Sequence, residues 1–155
     1  MNWWAGALAG IGVSTAVAIT MMRRSYLIVT VKGRSMHPTL VEGDRVLVRR
    51  GSTRTPRRND VVILRKPPGP GREASPPHDP PTRGEWSIKR IVATPDDPLP
   101  ESVAKACGQA PGTPVPAGLF VVLGDAPNSY DSRAWGYLAA ENLLGVVVRR
   151  LTTSR

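Results

Sequence analysis

The chain has 155 residues and a formal net charge of +9, with 16 prolines, 15 glycines and only 5% aromatic residues. That length supports one compact domain with little left for a second, and the proline and glycine content argues against a helical bundle and for short strands joined by turns. The arginines fall in scattered pairs without interleaved aromatics, which argues against nucleic-acid binding, and a single Cys107 with only His37 and His78 beside it rules out an intrachain disulfide and argues against a structural metal site.

Residues 3 to 22, "WWAGALAGIGVSTAVAITMM", carry no charge. As a helix rising about 1.5 Å per residue they would span about 30 Å, the thickness of a bilayer's hydrocarbon core. Trp3 and Trp4 suit one interface and Arg23–Arg24 the other. "AVA" at 16–18 resembles a signal-peptide cleavage site, yet no basic residue precedes the apolar run as a cleavable signal needs. Residues 1–24 are therefore expected to be a retained single transmembrane helix, with Gly6 and Gly10 as a weak helix-packing pair.

The next segments read as strands. "YLIVTVKG" is β-branched and continuous, "TLVEGDRVLVRR" turns at Glu42–Gly43–Asp44 and then alternates through Val46 and Val48, and "RNDVVILRK" follows. Residues 67–83 hold seven prolines and are expected to form a flexible, exposed insert. "EWSIKRIVAT" is extended again, residues 99 to 115 are less readable, and "AGLFVVLGD" is a strand leading into the polar loop "APNSYDSRAWG". "YLAAENLLGVVVRRL" closes with a helical turn and a last strand. The expected domain, residues 25–155, is mainly β.

Ser35 stands in a tight "GRSMHP" turn. A turn serine is usually structural; a nucleophile needs a base within hydrogen-bond reach. His37 is too near in sequence for in-line geometry, and His78 lies in the proline-rich insert. Of the four lysines, Lys32 and Lys66 border turns and Lys105 sits in the less readable stretch. Lys89 lies within "WSIKRIV", where alternation sends Lys89 and Arg90 to opposite faces. Lysine can surrender its proton on burial whereas arginine keeps its own, so Lys89 is the one expected to point inward if either does. A solvent-facing edge lysine remains equally compatible with the residues alone. In "GDAPNSYDSRAWG", Ser129, Asp131, Ser132 and Arg133 concentrate hydrogen-bonding groups that could orient an amine and lock a loop through an Asp–Arg pair.

In order, "GRSMHPTL", "EGDRVLVRR", "RNDVVIL", "IKRIVATPDD" and "LGDAPNSYDSRAWG" resemble the five sequence boxes of the type I signal peptidases, Ser/Lys-dyad serine peptidases that include mitochondrial inner-membrane members. The resemblance runs from about residue 28 to residue 150. It implies an SH3-like coiled β-barrel, Ser35 as nucleophile and Lys89 as general base. It further implies Ser129 as a residue orienting the lysine, Asp131 and Arg133 as a structural loop pair, and Gly33 on the oxyanion side of the turn. Because Gly33 stands where some members carry a hydroxyl donor, the Ser35 backbone N–H is the expected main oxyanion donor. The implied substrates are pre-proteins with small residues at P1 and P3, added as a strand beside an edge. No metal or cofactor is implied. The implied location is a membrane, single-pass, with the catalytic domain outside the cytoplasm. The lysine box ends Ala93-Thr94-Pro95-Asp96-Asp97 without the usual glycines, and the last box is one residue short, with Ala126–Pro127 in place of Asn-Arg.

Three other readings stand beside this one. The first is a dedicated maturation protease for one cognate precursor, such as a nickel superoxide dismutase. The second is an inactive, membrane-tethered peptide-binding subunit, which the paired Ser35 and Lys89 disfavour. The third, a self-cleaving repressor-type protease, is disfavoured by the absence of a DNA-binding segment.

Overall fold

The structure, a computed structural model, describes residues 25–51, 55–67 and 86–152. The expected anchor (1–24) and almost all of the proline-rich insert (67–83) lie outside the described residues. No helix among the described residues is long and apolar enough to cross a membrane.

Seven antiparallel strands form one sheet: β1 (Tyr26–Thr30), β2 (Arg45–Arg50), β3 (Val61–Arg65), β4 (Trp86–Ala93), β5 (Leu119–Leu123), β6 (Leu138–Ala139) and β7 (Leu143–Thr152). Their hydrogen-bonded order is β1-β2-β7-β3-β4-β5-β6. Each strand lies where β-branched and aliphatic residues run together or alternate. In β2 the alternation buries Val46 and Val48 completely while Arg45 stays exposed.

The continuous run Val61–Leu64 has a different cause, because β3 is covered on both faces. Ile63 packs with Val46, Val48, Met36 and Ile88, while Val62 and Leu64 pack with Ile91, Val122 and Val146. A strand buried on both sides reads as an apolar run and not as an alternation. A third cluster joins Ala93 and Val121 of the sheet to Leu99, Val103 and Val115.

The mainly β expectation holds, but the barrel does not close. The strand order ends at β1 and β6, and no ladder joins these two strands among the described residues. Register shifts at Arg45/Val46, Leu47/Val48, Ile63/Leu64 and Ile91/Ala93 bend the sheet, as bulges do, into a curled half-barrel. The edge strand β6 is only two residues long and offers two pairing positions, both of which it uses with β5.

The less readable stretch contains helix α1 (Glu101–Cys107). Pro100 precedes it, Glu101 opens it, Lys105 lies in its last turn, and Gly108 ends it in the left-handed conformation at φ 64. Glu101, Lys105 and Gly108 suit the helix ends they occupy, whereas Pro100 at the N-cap makes no side-chain cap. A second short helix, α2 (Ser132–Trp135), is N-capped by Asp131, and a 3-10 turn over Ala140–Asn142 leads into β7.

Candidate active site

The Ser35 turn projects from the end of β1 and returns to β2. Val31 N–H donates to the Asp44 carbonyl at 2.8 Å and Gly43 N–H to the Val31 carbonyl at 3.0 Å, closing its base. Gly33 has φ 79, a left-handed conformation that glycine adopts without steric cost. Met36, fully buried, pins the turn into the first core, and Leu40 N–H donates to the Met36 carbonyl at 2.9 Å. Asp44, also fully buried, accepts from Val41 N–H at 2.8 Å and from Arg150 of β7, whose guanidinium also donates to the Thr39 carbonyl at 3.2 Å.

Lys89 is 2% exposed. It pairs across the ladder with fully buried Val62 and shares its strand face with Ile91. Burial pushes its amine down to about 8; the Asp131 carboxylate pulls in the opposite direction, and the cations Lys66 and Arg133 add to the lowering. Ser35 and Lys89 line the same cleft, whose volume is about 800 Å³.

The loop after β5 braces both residues. Ala126 N–H donates to the Ser35 carbonyl at 3.0 Å. Gly124 allows this approach: a Cβ there would collide with the Ser129 side chain and lie 2.5 Å from the Ser35 carbonyl oxygen. The Ser129 hydroxyl is buried and has no hydrogen-bond partner among the described residues, so it makes no bond to Lys89 here. Asp131, fully buried, accepts from Gly124 N–H at 2.8 Å and holds Arg133 in a two-pronged pair at 2.9 and 2.7 Å. Burial acts to raise the Asp131 carboxyl, but the hydrogen bonds from Arg133 and Gly124 outweigh it and keep the group below the ordinary carboxylate range. Ser132, also buried, accepts from Val122 N–H at 3.0 Å.

Gly33, Ser35 and Lys89 thus line one cleft, the charges of Asp131 and Arg133 act on the Lys89 amine, and Ser129 lies against Gly124 beside the Ser35 carbonyl. His37 is exposed and does not line the cleft, and Lys105 sits on α1. Lys32 and Lys66, read from sequence as turn-bordering residues, both line the cleft.

Sequence reasoning missed a second brace. Arg90, expected in water, is only partly exposed and forms a two-pronged pair with Asp125 at 2.9 and 2.7 Å. Arg90 also donates to the Asn59 carbonyl at 3.1 Å. The Asp125 carboxyl is held low chiefly by Arg90, with help from the Thr39 hydroxyl. One carboxylate therefore touches both the strand of Lys89 and the turn of Ser35. The only sequence signal was an Asp after the β5 strand and an Arg beside Lys89, with nothing to link positions 35 residues apart.

The lysine box resolves simply despite lacking its usual glycines. Asp96 takes φ 69, the conformation for which glycine is favoured, and aspartate is among the few other residues that tolerate it. Asp97 then closes the turn by accepting from Thr94 N–H at 2.8 Å and the Thr94 hydroxyl at 2.9 Å.

A family model described as signal peptidase, peptidase S26, matches residues 4–105 and 100–152. The chain belongs to this peptidase family. It is 32% identical over 139 residues to a signal peptidase I of Leptolyngbya laminosa, covering 77% of this chain and 66% of that protein. It is 32% identical over 157 residues to the chloroplastic thylakoidal processing peptidase 1 of Arabidopsis thaliana, covering 88% of this chain and 45% of that protein. A probable signal peptidase I-2 of Synechocystis is 30% identical over 152 residues, covering 84% of this chain and 66% of that protein. The chain spans about two thirds of the length of the two bacterial relatives and under half of the plant one.

Proposed function

We propose that this protein is a membrane-anchored serine endopeptidase that removes signal peptides from pre-proteins, with Ser35 as nucleophile and Lys89 as general base. The observation that carries this reading is a buried lysine, its amine lowered to about 8, lining one cleft with a turn serine. At neutral pH an ordinary lysine is about 0.04% deprotonated, whereas one titrating near 8 is roughly a tenth deprotonated. That gain makes proton acceptance practical.

Ser35 Oγ attacks the scissile carbonyl as its proton passes to the neutral Lys89 amine. The oxyanion is received by the Ser35 backbone N–H. Lys89 then gives its proton to the departing amine, and later takes one from the water that hydrolyses the acyl-enzyme. Ser129 supplies a hydroxyl for the amine once the substrate is in place, and Asp131–Arg133 holds the loop that carries it.

The substrate enters as an added strand. β5 pairs with β4 only from Arg90 onward, so on that side Ser87 and Ile88 have no strand partner among the described residues, and both line the cleft. A peptide laid there has free main-chain groups to bond with, and small P1 and P3 side chains turn towards the apolar floor. The relatives' names support signal-peptide processing over a dedicated maturation role. The apolar run at residues 3–22 supports attachment to the bilayer.

The test is processing of pre-proteins from the same cell by purified protein, with sequencing of the new N-termini. Ser35→Ala and Lys89→Ala are each expected to lower cleavage by at least about a thousandfold while remaining folded. Cleavage by either variant above that level sinks the dyad.

A further inference from the structure

The cleft shared by Ser35 and Lys89 has an uneven chemistry. Leu27, Val29, Val31, Ile63 and Ile88 give it an apolar floor. Besides Lys89, its charged lining consists of Lys32, Arg34, Arg50 and Lys66, all exposed, with no carboxylate among the lining residues. The arginines that brace the site behave differently: Arg90, Arg133 and Arg150 each hold an aspartate. No ion pair among the described residues involves any of the four rim cations.

Like charges around one apolar trough repel each other, and a concave, low-dielectric wall concentrates their field. The field reaches the reacting amine, because Lys66 is among the charges acting on Lys89. Among the described lining residues no carboxylate balances these charges, and an occupant that carries acidic groups would supply the complement.

We propose that the cleft selects polypeptide segments carrying acidic side chains next to the small apolar residues that enter it, with Lys32, Arg34, Arg50 and Lys66 as the carboxylate-recognising rim. A peptide fits this arrangement better than a lipid surface does. The cations surround a concavity with an apolar floor and a free strand edge, whereas a bilayer presents a flat plane of headgroups. The cleavage part rests on the function proposed above, but recognition is measurable without it.

The experiment uses full-length Ser35→Ala protein and fluorescent peptides with one Ala-x-Ala core, flanked either by Glu or by Gln. At low salt the Glu peptide is expected to bind roughly tenfold more tightly, the size of one or two charge-assisted contacts. The advantage should shrink as added salt shortens the screening length from about 30 Å to about 3 Å. Changing all four rim cations to Gln should bring the ratio of the two affinities to about one. Equal binding of the two peptides, or a preference that survives the fourfold change, overturns the proposal. So does a result in which the four cations govern binding to phosphatidylglycerol vesicles while both peptides bind alike. Wild-type protein is assayed for cleavage of the same peptides. If it cleaves neither while Ser35→Ala still prefers Glu, the peptidase reading fails and the recognition stands.

Discussion

Lys89 carries opposite demands on activity and stability. As the proposed base it works only when neutral, so kcat/KM should rise with pH along a limb centred near 8, the value to which burial pushes the amine. Lys89→Arg should be as inactive as Lys89→Ala, since a guanidinium keeps its proton throughout that range. Stability moves in the same direction with pH. The amine titrates near 8 in the folded protein and near 10.5 when unfolded, so between those values the unfolded chain binds more protons. The penalty of burying the charge is therefore fully present below about 8 and disappears as pH rises to about 10.5. Lys89→Met should stabilise the protein by ~1–2 kcal/mol at pH 7, with the gain fading through that window. Denaturant melts at pH 7 and 10 measure this, and an unchanged difference between the two pH values contradicts it. The inward direction of Lys89 was partly legible, because Ile88 and Ile91 flank a Lys–Arg pair that must split between faces. What remained hidden was the fate of Arg90, because its partner comes from another element.

The loop over residues 124–136 acts as one element, since its hydrogen bonds run to β4, to the Ser35 turn and back onto itself. Asp125 grips β4 through Arg90, Ala126 N–H holds the Ser35 carbonyl, and Asp131 folds the loop on itself. Asp125→Ala would leave Arg90 without its carboxylate and loosen the turn at Thr39. The expected cost is about 1–3 kcal/mol in stability, with a tenfold or greater fall in kcat/KM from displacement of Ser35. Asp125→Asn, which keeps one acceptor, should lie between the variant and wild type. A kcat/KM unchanged in Asp125→Ala would show that the brace does not position the nucleophile. Strand positions were readable because each depends on a short local pattern. Helix α1 was also readable in principle, from Glu101, Lys105 and Gly108, but seven residues carry little periodicity. The salt-bridge braces were not readable, since nothing local says that Asp44 meets Arg150 or that Asp125 meets Arg90. The open sheet was missed for a related reason: the resemblance implied a barrel, while double-sided burial of β3 is visible only once both cores are assembled.

For the whole molecule, two arguments bear on which side of the bilayer the proposed membrane-anchored domain would face. Arg23–Arg24 follow the apolar run with no charge before it, which favours a cytoplasmic domain by the positive-inside rule. The proposed pre-protein substrates, which would emerge on the outer face, favour the opposite, and long domains translocate largely regardless of flanking charge. Protease added to intact spheroplasts is expected to digest the domain. Complete protection would place it in the cytoplasm and favour a dedicated maturation protease.

The position of β7 has a consequence for when the protein can act. β1 and β2 form one hairpin, and β3 to β6 form a separate meander; the sheet joins them only through β7, which lies between β2 and β3 and follows every other strand in sequence. Ser35 belongs to the first piece and Lys89 to the second. A nascent chain still lacking β7 can make local pairs in both pieces, but it has no strand ladder to register one against the other, and the Arg150 tie to Asp44 and Thr39 is missing. Long-range pairing of this kind forms late, because the chain entropy of closure must be overcome before any contact rewards it. Without β7 the Ser35 turn is tied to the piece that carries Lys89 only by side-chain packing and by the loop contacts from Ala126 and Asp125, so the sheet fixes the two members of the proposed dyad against each other only after β7 has been made.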